Sequence, residues 1–71
     1  MATRVRTEMT GLVQRIEKRV GDAVQEGDVL IILEAMKMEL PVEAPVAGTV
    51  AEIHCRVGQS VAEGDVVVVL V

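Results

Sequence analysis

No phenylalanine, tyrosine or tryptophan occurs among the 71 residues. That absence argues against nucleic-acid binders that stack bases on flat side chains, and it leaves any core to be built from Val, Ile, Leu and Met. A formal charge of −4 argues the same way, because binding a phosphate backbone needs clustered Lys and Arg. Arg4, Arg6, Arg15, Lys18 and Arg19 are interleaved with acids and apolar residues and read as a solvated face. No stretch approaches the roughly 20 apolar residues needed to span a bilayer. The runs 29–33 and 66–71 have the length of buried strands instead. The opening MATRVRTEMT has no apolar segment of the secretory type. The single cysteine, Cys55, cannot close an internal disulfide, which fits a reducing compartment and makes the cytoplasm the expected location. One Cys and one His make a poor metal site, since structural zinc takes four protein ligands. Cys55 reads as a small apolar strand residue and His54 as an exposed one, so neither is a candidate catalyst or metal ligand.

What is present is a pattern written twice. Residues 11–33 read GLVQRIEKRVGDAVQEGDVLIIL and residues 48–70 read GTVAEIHCRVGQSVAEGDVVVVL. Superposing them pairs Gly11 with Gly48, Val13 with Val50, Ile16 with Ile53, Val20 with Val57 and Gly21 with Gly58. Glu26-Gly27-Asp28-Val29 then falls on Glu63-Gly64-Asp65-Val66, and Val5 falls on Val42. Two copies are too few for a solenoid, in which several stacked units share a core. Two half-domains closing on one another are expected, in a single domain spanning residues 1–71. Valine is the commonest residue, and β-branched side chains favour pleated strands. Strands are expected at 3–7, 11–20, 29–34, 38–43, 49–57 and 66–71, with turns at Gly21-Asp22 and Gly27-Asp28 and punctuation at Ala44-Pro45 and Ala47-Gly48. Short strands at this spacing without a credible helix predict an all-β antiparallel sandwich or barrel with internal pseudo-two-fold symmetry. If the valine-rich strand 66–71 lies at a sheet edge, it is an aggregation hazard. The absence of an obvious large apolar patch points to a monomer.

Only two lysines occur, and they sit in unlike surroundings. Lys18 lies among Arg15, Glu17 and Arg19 and reads as a solubilising residue. Lys37 falls where two strands of opposite direction meet, between the two copies, at or beside a hairpin tip with Met36 and Met38 on either side. Taken alone, Met-Lys-Met reads as gap-filling thioethers beside a charge that keeps a turn soluble. The position at the centre of the repeat reverses that reading, because an exposed tip has no need of a methionine on each side of its charge.

Glu34-Ala35-Met36-Lys37-Met38 resembles the attachment signature of the biotinyl/lipoyl carrier domains, and the glycine pattern around it is in register over nearly the whole chain. The resemblance implies a flattened β-barrel of two small antiparallel sheets, a barrel-sandwich hybrid. It places covalent biotin on Lys37, with Met36, Met38, Ala35 and Glu34 as the residues that present the lysine and are read by a biotin protein ligase. Glu39 borders the same turn and reads equally well as a recognition or a solubilising acid. The resemblance further implies a non-catalytic carrier in a biotin-dependent carboxylase. Biotin joined to the ε-amine would take up a carboxyl group in a biotin carboxylase and deliver it to a carboxyltransferase acting on an acyl-CoA or a 2-oxo acid. The longer bacterial carriers have a thumb insertion and a Pro/Ala-rich linker; neither is seen here, so a free-standing carrier is expected. The short form, with Met38-Glu39-Leu40-Pro41 after the lysine, is similar to the stand-alone biotin/lipoyl attachment proteins, a resemblance that leaves a dual biotin/lipoyl carrier as an alternative.

Two other readings compete. A lipoyl carrier for a 2-oxo acid dehydrogenase would use the same lysine with lipoate, but methionines on both sides of Lys37 disfavour it, since lipoyl domains usually carry Asp-Lys-Ala at the tip. An unmodified interaction module with this fold would keep Lys37 as a free amine.

Overall fold

The computed structural model describes all residues, 1–71, and contains eight strands. They are β1 (Thr3–Arg6), β2 (Gly11–Ile16), β3 (Ala23–Val24), β4 (Val29–Ala35), β5 (Met38–Glu43), β6 (Gly48–Ile53), β7 (Ser60–Val61) and β8 (Val66–Leu70). Two four-stranded antiparallel sheets result, with orders β1-β8-β6-β3 and β5-β4-β2-β7. The sequence repeat carries one order onto the other strand by strand: β8 takes the place of β4, β6 of β2, β3 of β7 and β1 of β5. Even the irregularities repeat. A β-bulge interrupts β2 between Val13 and Arg15, and its counterpart interrupts β6 between Val50 and Glu52. Each bulge adds twist that helps curl a sheet toward closure.

The halves are interlocked rather than merely stacked. Each copy sends its two-residue strand into the other copy's sheet, so β3 pairs with β6 and β7 with β2. The backbone N–H of Gly21 donates to the carbonyl of Val50 (2.8 Å), and that of Gly58 donates to Val13 (2.8 Å). Neither half can therefore satisfy its own backbone groups, and an orphaned buried backbone group is costly. The core lies between the sheets and is aliphatic: Val5, Val13, Val24, Leu30, Ile31, Leu33, Val50, Val61, Val67, Val68 and Leu70 cluster with Ala44 and Cys55. The most apolar strands, β4 and β8, are central in their sheets and nearly continuous in burial.

Two expectations change. Strand β2 ends at Ile16 rather than at residue 20, and β6 ends at Ile53 rather than at 57. Val20 and Val57 are mostly exposed, because each sits second in a four-residue turn whose third residue is glycine. In those turns the N–H of Asp22 donates to the carbonyl of Arg19 and that of Gln59 to Arg56, both at 3.0 Å, with Gly21 and Gly58 at φ 99° and 91°. This is type II geometry, which needs positive φ at the third position and points the second side chain outward. Residues 66–71 are also not an edge strand, since β8 pairs with β1 on one side and β6 on the other. The aggregation hazard attached to an edge position does not arise there.

Gly48 is required by a close approach rather than by its φ. A β-carbon there would lie 2.8 Å from the carbonyl oxygen of Val71, a backbone atom that cannot swing away. We expect Gly48→Ala to lose about 1–3 kcal/mol, the usual penalty of overpacking. For a domain of this size that lowers the melting temperature by roughly 5–20 °C. Thermal unfolding followed by circular dichroism checks it; an unchanged midpoint would mean that the Val71 end yields freely.

Candidate functional site

Strands β4 and β5 form a hairpin whose last cross-strand pair is Ala35 with Met38, leaving Met36 and Lys37 as a two-residue turn. The neighbouring strand β2 ends its pairing one step earlier, at Leu12 opposite Glu34. The final pair and the turn therefore project beyond the sheet. Both turn residues have positive φ, 54° for Met36 and 64° for Lys37, the signature of a type I′ turn. That turn matches the right-handed twist of the flanking strands but is ordinarily made by Asn-Gly. A residue with a β-carbon loses about 1–2 kcal/mol in the left-handed region. Strain of this kind, kept where a cheaper sequence exists, marks residues held for their side chains.

The tip is displayed rather than enclosed. Met36 is 89% exposed and Met38 61%. Lys37, Glu34 and Glu39 are also exposed, and Ala35 is half-buried. None of the chain's three ion pairs involves Lys37, so its ammonium has no carboxylate within 4.0 Å. The one surface groove, about 580 Å³, lies elsewhere: Leu33, Leu40, Pro41, Met9 and Thr7 are among its lining residues, and none of residues 34–39 takes part. No cluster of three or more His, Cys, Asp or Glu residues exists that could hold a metal ion. The tip is thus a protruding amine, clear of the groove and of any ion pair.

All five residues singled out around the lysine, Glu34, Ala35, Met36, Lys37 and Met38, are brought together by this hairpin. Cys55 is buried but lies just past β6 rather than within a strand, with its Sγ 4.0 Å from the carbonyl of Val67. Burial pushes its thiol upward from the ordinary value. His54 is exposed and its ring Nε2 pairs with Glu52. Three features escaped the sequence reading. Glu34 and Glu39 stand directly opposite one another in the hairpin, a like-charge pair that is mildly destabilising. Arg15 offsets it from β2: its guanidinium lies 4.0 Å from Glu39 and 3.3 Å from Glu17. Such exposed contacts contribute about 0–1 kcal/mol. Gly11 is the third, since a β-carbon there would come within 2.9 Å of the carbonyl oxygen of Glu34. The base of the hairpin thus rests on a glycine, and the repeat of Gly11 at Gly48 was the one signal that could have shown it.

Comparison with known proteins agrees with this geometry. The chain is 49% identical over 47 residues to a protein of Mycobacterium leprae called biotinylated protein TB7.3 homolog, with 66% of each chain covered. It is 46% identical over 44 residues to biotinylated protein TB7.3 of Mycobacterium bovis, with 62% of each covered. The matches thus span less than two thirds of these relatives' own lengths. Among solved structures, the urea carboxylase of Kluyveromyces lactis contains a segment that superposes with a TM-score of 0.96 at 41% identity, covering all of this chain and 6% of that one. The family model described as biotin-requiring enzyme, the biotin/lipoyl attachment domain, matches residues 2–70, and the chain belongs to that family.

Proposed function

We propose that residues 1–71 form one carrier domain, that Lys37 is its site of covalent biotin attachment, and that the protein is a carboxyl carrier. The observation that carries the reading is the projecting turn: an exposed, unpaired lysine between two exposed methionines, in a member of a family whose relatives are described as biotinylated proteins. A biotin protein ligase would join the biotin carboxyl group to Nζ of Lys37 as an amide, and the bound group then supplies a ring nitrogen that accepts and releases a carboxyl.

The chain's own residues do the rest. Lys37 must lose a proton to become a nucleophile. With no carboxylate or imidazole beside it, the ligase has to provide the base. Met36 and Met38 offer flexible, polarizable side chains that adapt to an apolar pocket. Ala35 keeps the approach to the turn uncrowded, and Glu34 gives the ligase a charge to read. The type I′ turn keeps Nζ clear of the protein surface. After attachment the domain presents the arm in turn to a biotin carboxylase and to a carboxyltransferase for an acyl-CoA or a 2-oxo acid. Tethering replaces two encounters in solution by a high effective concentration at both sites. The chain itself catalyses nothing in this scheme. A buried free thiol fits a reducing, cytoplasmic setting.

The test is an intact mass with peptide mapping after incubation with biotin ligase, ATP and a mixture of biotin and lipoate. One biotinyl group confined to Lys37 is the expected result. A lipoyl group at the same position would move the protein to the 2-oxo acid dehydrogenase complexes, and no adduct beside a control carrier that is modified would overturn the carrier reading.

A further inference from the structure

All four methionines lie outside the core. Met1 is fully exposed, Met36 is 89% exposed, Met38 61% and Met9 44%. The buried cluster is made of Val, Leu, Ile, Ala and Cys55, with no thioether in it. Other oxidisable groups are scarce: there is no Tyr or Trp, and the one thiol is 6% exposed with its thiolate form disfavoured by desolvation. A two-electron oxidant meeting this molecule therefore finds thioether sulfurs, and two of the three most exposed flank Lys37.

We propose that Met36 and Met38 form a reversible oxidation site, at which hydroperoxides switch off acylation of Lys37 while leaving the domain folded. The proposal rests on the carrier reading above. In the forward step the sulfur lone pair attacks one peroxide oxygen, an S–O bond forms and the O–O bond breaks. The thioether is oxidised to a sulfoxide and the hydroperoxide is reduced to water or an alcohol. In the return step a methionine sulfoxide reductase removes the oxygen as water while its dithiol becomes a disulfide. The product side chain is polar and chiral where the original was apolar and adaptable. A ligase surface that accepts Met36 and Met38 would have to desolvate two S=O groups, which is unfavourable unless each finds a donor. The fold does not feel the change, because Met36 on the turn and Met38 at the start of β5 are exposed and neither belongs to the buried cluster.

The experiment treats the unmodified full chain with hydrogen peroxide, removes the oxidant, and locates added oxygen by peptide mass. Thermal unfolding and the initial rate of biotin uptake with ligase and ATP are then measured before and after reductase treatment. Oxygen should appear on Met36 and Met38, and the melting temperature should not move. The rate should fall roughly tenfold or more, equivalent to about 1.4 kcal/mol in recognition, and return after repair. Met9→Leu should show the same loss, which excludes Met9 as its source. Met36→Leu with Met38→Leu should take up biotin at a rate that peroxide no longer lowers, which places the effect at the tip rather than at Met1. Uptake by the oxidised chain at the untreated rate overturns the proposal, as does a loss that accompanies unfolding or that the reductase fails to reverse. Untreated protein that takes up no biotin is a different failure, and it removes the carrier reading together with this one.

Discussion

Lys37→Arg is expected to abolish biotin uptake and to leave the melting temperature unchanged. The two results follow from different parts of the structure. Arginine keeps the charge and the long stem, and like lysine it carries a β-carbon, so the backbone at φ 64° is strained to the same degree before and after. The side chain is exposed and makes no ion pair, so nothing else is lost. Exposed substitutions of this kind stay within about 0.5 kcal/mol. The guanidinium, however, does not give up its proton in proteins and offers no nucleophilic nitrogen to a ligase. A second variant separates stability from function further. Lys37→Gly removes the β-carbon at a positive-φ position and should raise stability by about 1 kcal/mol, while also giving no adduct. A more stable protein that cannot be modified would show directly that the chain tolerates strain at the tip for the sake of the lysine. Intact mass after ligase treatment, beside a thermal melt of each variant, reads both quantities. Unfolding of Lys37→Arg would mean that the tip is packed rather than displayed.

The architecture was legible because the chain states it twice. Gly11 and Gly48, the two Glu-Gly-Asp-Val turns and the matched valines mark one unit and its copy, and the two sheets exchange strand for strand under the same superposition. The place of the lysine at a hairpin tip was legible for a related reason, since it falls between the two copies where strands of opposite direction meet. The remainder depends on information that is not local. A two-residue strand such as β3 or β7 has no periodicity to detect; it exists because a turn from one half is held against the other half's strand. Val57 continues the alternation of Ile53 and Cys55, and the repeat carries Val20 along with it, yet a type II turn rotates both valines into solvent. The central place of β8 follows from which strands flank it, and its run of valines is compatible with either centre or edge. The left-handed backbone of Met36 and Lys37 was invisible because the usual mark of a type I′ turn, Asn-Gly, is missing. At the tip, two residues with β-carbons take a left-handed turn that local preference would give to Asn-Gly, the kind of conflict expected at functional sites.

Val68→Asp is expected to unfold the domain, and Val57→Asp to leave it folded. Both residues are valines in the second copy of the repeat, and both fall in segments expected as strands. Val68 is 2% exposed, lies on the central strand β8 between Val5 and Ile53, and belongs to the single buried cluster. Removing its side chain forfeits about 1.5–3 kcal/mol of apolar burial. The larger loss comes from the carboxylate: no cationic side chain belongs to the cluster, so the charge either stays unpaired in the interior or is neutralised, and either way several kcal/mol are lost. A chain of this length has a total stability of about 4–11 kcal/mol, so the substitution removes most or all of it. No alternative core can form, because the halves share one cluster and each completes the other's backbone bonding. Val57, 64% exposed at the second position of its turn, loses almost no burial and places its new charge in water. Circular dichroism spectra and melts of the two variants decide the matter. A folded Val68→Asp would mean that β8 can slide outward past its partners. A collapsed Val57→Asp would restore the longer second-copy strand expected at 49–57, and with it a different path into β7.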